Sequence, residues 1–428
     1  MDNPPPQDSS SKLGKLWRRY RNLPPNVLAL SVVSLLNDAS SEIIYPLLPF
    51  FLTLVLGASP FVIGSIEGAA ESISSLLKLA AGYFSDKHSK RKATIFAGYG
   101  LSAVIRPFLG FATSWTGVFF LRITDRIGKG IRSAPRDALV ADSTPPEKRG
   151  LAFGFHRAMD NAGAVVGPLL GFFLIEYFAA DRAAPSKEEY TQVFLAASIP
   201  AILSLFVVGF FVRETKTAVQ SEPPKESPKK KGQRIKDKKP KTPFDNNFRK
   251  FLFVLVLFTL SNSSDTFLLL RAREAGIEPV WIPLVWAFLN IVKVISSLVG
   301  GDLSDRIGRK TLIFSGWLLY GIVYAGFAFV TTPGAAIILF AFYGIYFGLT
   351  EGVEKALVTD LVPAERRGTA FGWYHLAFGI AVFPASLAMG AIWNYYGFQV
   401  AFLTSAAISI AAAFLLLTVQ TKKSAPVV

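Results

Sequence analysis

The chain has 428 residues, 51% of them hydrophobic and only 18% charged, which excludes an ordinary soluble domain with about 25% charged residues. The formal charge of +15 would suit a nucleic-acid partner, yet most Lys and Arg fall in one alternating set of loops, the bias of cytoplasmic loops in membrane proteins, so no nucleic acid is expected. With no cysteine and three scattered histidines, neither a disulfide frame, a cofactor nor a metal centre is expected, and the chain does not read as an enzyme.

Residues 1–26 form a polar, proline-rich tail, with the basic cluster Lys15–Arg21 ahead of the first apolar block. The tail lacks a short apolar stretch and a small-residue cleavage site, so it reads as a cytoplasmic segment that orients the first span. Twelve apolar spans follow, at about 27–56, 61–84, 93–113, 117–141, 151–178, 190–212, 250–270, 280–302, 311–331, 335–361, 368–396 and 398–420. Each is long enough for a hydrocarbon core of ~30 Å. The expected fold is therefore all-α and integral to the membrane. Six helices over 27–212 form one bundle and six over 250–420 a second. Between them, 213–249 is rich in Lys, Pro, Ser and Glu, cannot bury a core, and reads as a disordered cytoplasmic linker. Its basic run Lys229–Lys241 is suited to anionic lipid heads. Residues 421–428 read as a second cytoplasmic tail.

The two halves repeat each other. Gly82-Tyr-Phe-Ser-Asp86-Lys-His-Ser-Lys90-Arg91 matches Gly301-Asp-Leu-Ser-Asp305-Arg-Ile-Gly308-Arg309-Lys310. Asp142-Ser-Thr-Pro-Pro-Glu147-Lys-Arg149-Gly150 matches Asp360-Leu-Val-Pro-Ala-Glu365-Arg-Arg367-Gly368. Asp86 to Asp305 is an offset of 219 residues and Asp142 to Asp360 one of 218. An internal six-helix repeat implies two pseudo-symmetric bundles with a solute path between them.

These residues resemble the major facilitator superfamily. The stretch 301–310 is similar to its loop signature between spans 2 and 3 of each half; the first copy departs from it at Ser89, where glycine is usual. Gly163-Ala-Val-Val-Gly167-Pro168-Leu-Leu-Gly171 resembles the superfamily's antiporter motif in span 5, and Asp38 with Tyr45-Pro46-Leu-Leu-Pro49 resembles the span 1 motif of drug:proton antiporters. In span 4, Arg126 stands where glycine is usual. The resemblance covers about 27–420 and implies a solute carrier; in such antiporters the span 5 motif is taken to limit leak through the empty carrier.

Ionisable groups inside a bilayer are costly and face a cavity or a partner. Span 1 carries Asp38 and Glu42, and span 2 carries Glu67 and Glu71, each pair on one helical face. Span 4 carries Arg122, Arg126, Lys129, Arg132 and Arg136, which at ~100° per residue fall within a stripe of about 120°. With Lys78, Arg106 and Arg157 there are eight embedded bases, against Asp38, Glu42, Glu67, Glu71, Asp125, Asp137 and Asp160 as seven acids. A network of salt bridges inside the first bundle is one expectation. The sharper one is a carboxylate that exchanges a proton, because burial raises a carboxylate pKa and a neighbouring cation lowers it. Asp38 is the chosen proton site, with Arg126, Lys129 and Arg132 as partners or substrate contacts. The second half offers Asp265, Lys293, Glu351, Glu354 and Lys355, and the aromatics Trp286, Tyr320, Tyr324, Tyr343, Tyr346, Trp373 and Tyr374. His156 and His375 read as structural. At the cytoplasmic ends, Asp86 and Asp305 are placed to hold helix N-termini. Lys90, Arg91, Arg309 and Lys310 are placed to pair with Asp142 and Asp360 and to latch a gate.

The reading is a monomeric secondary transporter in a bacterial inner membrane, both termini cytoplasmic, moving a small organic solute in exchange for protons. Import by proton symport or by an uncoupled facilitator is the alternative.

Overall fold

The computed structural model describes residues 23–88, 91–145, 148–214, 245–363 and 367–420. Residues 1–22 of the expected first tail, the expected second tail and nearly all of the expected linker lie outside these residues. Every long element is a helix. In the first half these are α1 (Pro25–Ile44), α2 (Pro60–His88), α3 (Arg91–Phe111), α4 (Trp115–Asp142), α5 (Arg149–Phe178) and α6 (Lys187–Phe211). In the second they are α7 (Asn246–Ser261), α8 (Thr266–Glu274), α9 (Ile282–Ile307), α10 (Arg309–Phe329), α11 (Pro333–Leu361), α12 (Arg367–Tyr396) and α13 (Phe398–Leu416).

Among the described residues, ten stretches are long and apolar enough to cross a membrane; α2 and α4 are not among them. Both have the length, and their embedded charges lower their hydropathy. The expected spans therefore reappear as helices within a few residues of the sequence reading, with two local differences. The first span does not run as one helix: beyond α1 the chain turns through Tyr45–Leu47, rewinds over Leu48–Phe50 and continues as a π-helix over Phe51–Val55. Pro46 and Pro49 remove amide donors and break the ladder here. The seventh span is split into α7 and α8 at Asn262–Asp265. Ser and Asn compete with the helix for backbone partners, and Ser264 N takes the Ser386 hydroxyl on α12 instead, at 3.2 Å.

Packing follows the repeat. Within the first half α1 packs on α5 and α6, α2 on α4, and α3 on α4 and α6. Within the second, α7 packs on α12 and α13, α9 on α11, and α10 on α11 and α13. The halves meet along two seams, α2 against α12 and α5 against α9, which are equivalent under the six-span repeat. Outward faces carry bare aromatics such as Phe173, Phe210, Phe253 and Phe329, the surface that lipid solvates. Tight connections at Gly308 (φ 92°) and Gly397 (φ 89°) use a left-handed conformation that only glycine adopts cheaply.

The Gly163–Gly171 run lies on the α5 face against α1. A Cβ on Gly163 would stand 3.0 Å from Asp38 Cβ, and one on Gly167 2.6 Å from both Ala39 O and Glu42 Cβ. Small residues here bring two backbones together around the two carboxylates. Gly167→Leu is expected to lower the melting temperature of the purified protein, at a cost of roughly 1–3 kcal/mol or more from overpacking. Gly154→Leu, on the same helix with no described atom within 4 Å of its Cβ position, is the control and should melt with the unaltered protein.

Candidate functional site

Two hollows, of about 640 Å³ and about 440 Å³, lie between the halves and share Tyr45, Glu71, Lys78, Arg126, Lys355 and His375 in their walls. They form one central cavity. At the end away from Pro25 and Leu416 the seams are shut. Gly64 and Gly68 of α2 abut Ser386 and Phe383 of α12, and Gly390 abuts Pro60 O. On the other seam Asn290 Nδ2 donates to Ala164 O at 3.0 Å, and Phe172 meets Trp281 with ring centroids 5.3 Å apart. At the end nearer the termini, Gly154, Gly352 and Gly372 have no described atom within 4 Å of a built Cβ. There Arg157 and Glu351, 63% and 55% exposed, face each other across the halves at 3.9 Å. The cavity is thus closed on one side of the molecule and open toward the other.

The first-half wall is charged, and its pairing is specific. Arg122 grips Glu67 with two hydrogen bonds, Nε to Oε1 at 2.9 Å and Nη2 to Oε2 at 3.1 Å. Arg106 Nε reaches Asp125 Oδ1 at 3.3 Å and its Nη1 donates to Asn37 O at 3.0 Å. Arg136 donates to Asp137 at 3.0 Å and to the Ser34 hydroxyl at 2.8 Å, with Asp160 at 3.9 Å. Arg132 turns toward α3, donating to the Ser102 hydroxyl at 3.0 Å with its guanidinium 4.6 Å from the Tyr99 ring. The stripe therefore divides: Arg122, Arg132 and Arg136 have protein partners, while Arg126 and Lys129 line the cavity with no ion pair among the described residues. Arg126 Nε is buried without a hydrogen-bond partner. Among the acids, Glu71 also lines the cavity. Asp38 takes a hydrogen bond from Asn37 Nδ2 at 3.1 Å. Glu42 takes one from Trp286 Nε1, across the halves, at 2.6 Å.

The second-half wall is aromatic. Asp265, at the start of α8, accepts from Tyr343 Oη at 2.5 Å and pairs with Lys293 at 3.3 Å. The Lys293 ammonium lies 3.7 Å from the Phe347 ring centroid and 5.0 Å from that of Trp286. Glu351 pairs with Lys355 at 3.4 Å. Glu354, expected only as an embedded charge of span 10, is buried and accepts from Trp317 Nε1 and Tyr374 Oη, each at 2.9 Å. Among the expected pocket aromatics, Trp286, Tyr346 and Tyr374 reach the cavity, whereas Trp373 is 49% exposed and points outward. His375 lines the cavity, and His156 is buried beside the Ser31 hydroxyl at 3.4 Å.

Of the expected gate residues, Arg91 meets Asp142, and Arg309 Nη1 meets Asp360 at 2.6 Å. Each pair ties neighbouring helices of one half. Lys310 differs from expectation: it donates to the carbonyls of Leu417 and Val419, both at 2.9 Å. Those carbonyls end α13 and lack intrahelical partners, so they attract a cation. Asp86 and Asp305 fall within α2 and α9; Lys90 lies outside the described residues.

Comparison with known proteins supplies a family. The profile described as Major Facilitator Superfamily matches residues 30–383 and 272–427. An uncharacterised transporter of that type from Methanocaldococcus jannaschii is 36% identical over 406 residues, covering 93% of this chain and 95% of the relative. The multi-drug resistance efflux pump PmrA of Streptococcus pneumoniae is 24% identical over 402 residues, 90% of this chain and 94% of the pump. Among solved structures, the bacterial homolog of the human lysosomal transporter Spinster, in an inward-facing and occupied conformation, superposes with a TM-score of 0.74 at 16% identity. It covers 95% of this chain and 97% of its own. A D-xylose-proton symporter superposes with a TM-score of 0.72 at 16% identity, covering 92% and 97%.

Proposed function

The chain belongs to the Major Facilitator Superfamily, and on that footing we propose that this transporter exports a small organic solute in exchange for protons by alternating access. One observation carries the exchange. Asp38 and Glu42, one turn apart on α1, lie in the cavity wall with Gly163 and Gly167 of α5 packed against their Cβ atoms, and neither has an ion-pair partner among the described residues. A cavity carboxylate held only by neutral donors is free to take up and give back a proton as access alternates. The relationship to PmrA supports the outward direction. The termini and the open end of the cavity are assigned to the cytoplasm, in a cell membrane, with Arg91–Asp142 and Arg309–Asp360 as the gate-side braces. The protein acts as a monomer.

The test uses proteoliposomes with a trapped pH-sensitive dye. A pH gradient is imposed and pools of organic anions, cations, zwitterions and lipophilic drugs are added in turn. Solute-dependent proton flux opposite to solute movement is expected, and Asp38→Asn should reduce it to the protein-free background. Solute movement without proton flux, unchanged in the variant, would falsify the coupling. A second reading, proton symport, is favoured by Arg126 and Lys129. An anionic solute competes for these cations with the ionised acids nearby, so protonating the acids strengthens anion binding and the two move together. Proton and solute fluxes of the same sign, confined to the anion pool, would replace the first reading by this one.

A further inference from the structure

The hollow of about 440 Å³ has two unlike walls. On the second-half side Glu354 is 7% exposed. Its two oxygens accept one hydrogen bond each, from Trp317 and Tyr374, although a carboxylate has room for about four. No cation lies in ion-pair range among the described residues: the adjacent Lys355 turns to Glu351 at 3.4 Å. The acids Glu67, Asp125 and Asp265, by contrast, each hold an Arg or Lys. Around Glu354 the wall is aromatic, with Phe258 stacked on Trp317 at 4.2 Å and Tyr346 beside it. A carboxylate framed by ring faces recognises an ammonium group.

On the first-half side of the same hollow stands Arg126, flanked by Glu71 and Lys78. Its buried Nε has no acceptor, and an unsatisfied buried donor is costly until something brings one. Its guanidinium is the geometry that a carboxylate or phosphate engages best.

The geometry points to an organic zwitterion as the solute, its ammonium on Glu354, its acid group on Arg126 and its apolar or aromatic body against Phe258, Tyr346 and Phe378. This deepens the transport reading and rests on it. A zwitterion touches α4 of one half and α11 of the other, so its binding energy depends on how the halves stand. A purely anionic or cationic solute satisfies only one wall.

Three matched probes decide the matter: 4-(aminomethyl)benzoic acid, 4-methylbenzylamine and 4-methylbenzoic acid, titrated calorimetrically into the full chain in detergent. The zwitterion is expected to bind at least about tenfold tighter than either partner. Glu354→Gln should remove its advantage over the acid, and Arg126→Gln its advantage over the amine, while each variant leaves the other end's contribution in place. Equal affinities for the three probes, no measurable zwitterion binding, or variants that keep the full preference would overturn the assignment. Should a variant not fold, the ranking on the unaltered protein decides alone. Titration in detergent needs no proton gradient, so a zwitterion preference without coupled flux sinks the exchange reading only. Coupled flux without the preference sinks only this one.

Discussion

Arg122→Met is expected to destabilise the protein by roughly 3–5 kcal/mol, because it leaves Glu67 as a buried carboxylate without its cation. The pair is 3% and 7% exposed and bidentate, and it ties α4 to α2. No described residue stands ready to replace the guanidinium, since Arg126 faces the cavity and Arg106 is committed to Asp125. The double variant Arg122→Met/Glu67→Leu should recover most of the loss, because removing both charges removes the cost of desolvating them. Thermal melts of the purified proteins in one detergent check both statements. A single variant that melts with the unaltered protein would show that the pair contributes nothing. A double variant as unstable as the single would show that packing, not charge, sets the loss.

The second large effect is conformational. The Trp286–Glu42 hydrogen bond crosses the halves at 2.6 Å, and the Trp286 ring also sits 5.0 Å from the Lys293 ammonium, which in turn holds Asp265. This chain can persist only while the far end of the cavity stays shut. Asp38 on the same helix, Arg126 and Lys129 on α4 and Lys293 on α9 are the other charges near Glu42 in that wall. A hydrogen bond to a charged group is worth about 1.5–3 kcal/mol. Trp286→Phe should therefore move the ratio of closed to open far ends by roughly one to two orders of magnitude. The native chain has no cysteine, so spin labels at Thr113→Cys, in the connection before α4, and Gly334→Cys, in the first turn of α11, report the opening at that end without background. A longer distance population is expected to appear in Trp286→Phe. A distance distribution identical to that of the Trp286 protein would remove the latch.

Part of this site was legible before any coordinates. The basic stripe of α4 and the acid pairs of α1 and α2 follow from spacing alone, because helical periodicity puts residues four apart on one face whatever surrounds them. What spacing cannot give is the rotation of each helix against its neighbours. Hence the stripe reads as one feature, and only the structure separates Arg132, turned to Tyr99 and Ser102, from Arg126, whose buried Nε has no hydrogen-bond partner among the described residues. Glu354 is legible as an embedded charge, but the signal that sets its partners is not local. Trp317 and Tyr374, its two donors, lie 37 and 20 residues away on two other helices, and nothing in the sequence marks them as converging. Trp286 and Glu42 are 244 residues apart, beyond any local rule.

The sequence by itself determined twelve crossings, the six-helix repeat and the helices that carry charge. Apolar length and internal similarity are properties of the chain alone, and a bilayer admits few other solutions for such segments. Only the tertiary structure decided which charges pair, which remain for a solute, that the first and seventh spans are broken, and which end of the cavity is shut. Those outcomes depend on glycine backbones at contact distance, those of α2 against α12 between the halves and those of α5 against α1 within the first half, and close packing of this kind sets helix rotation.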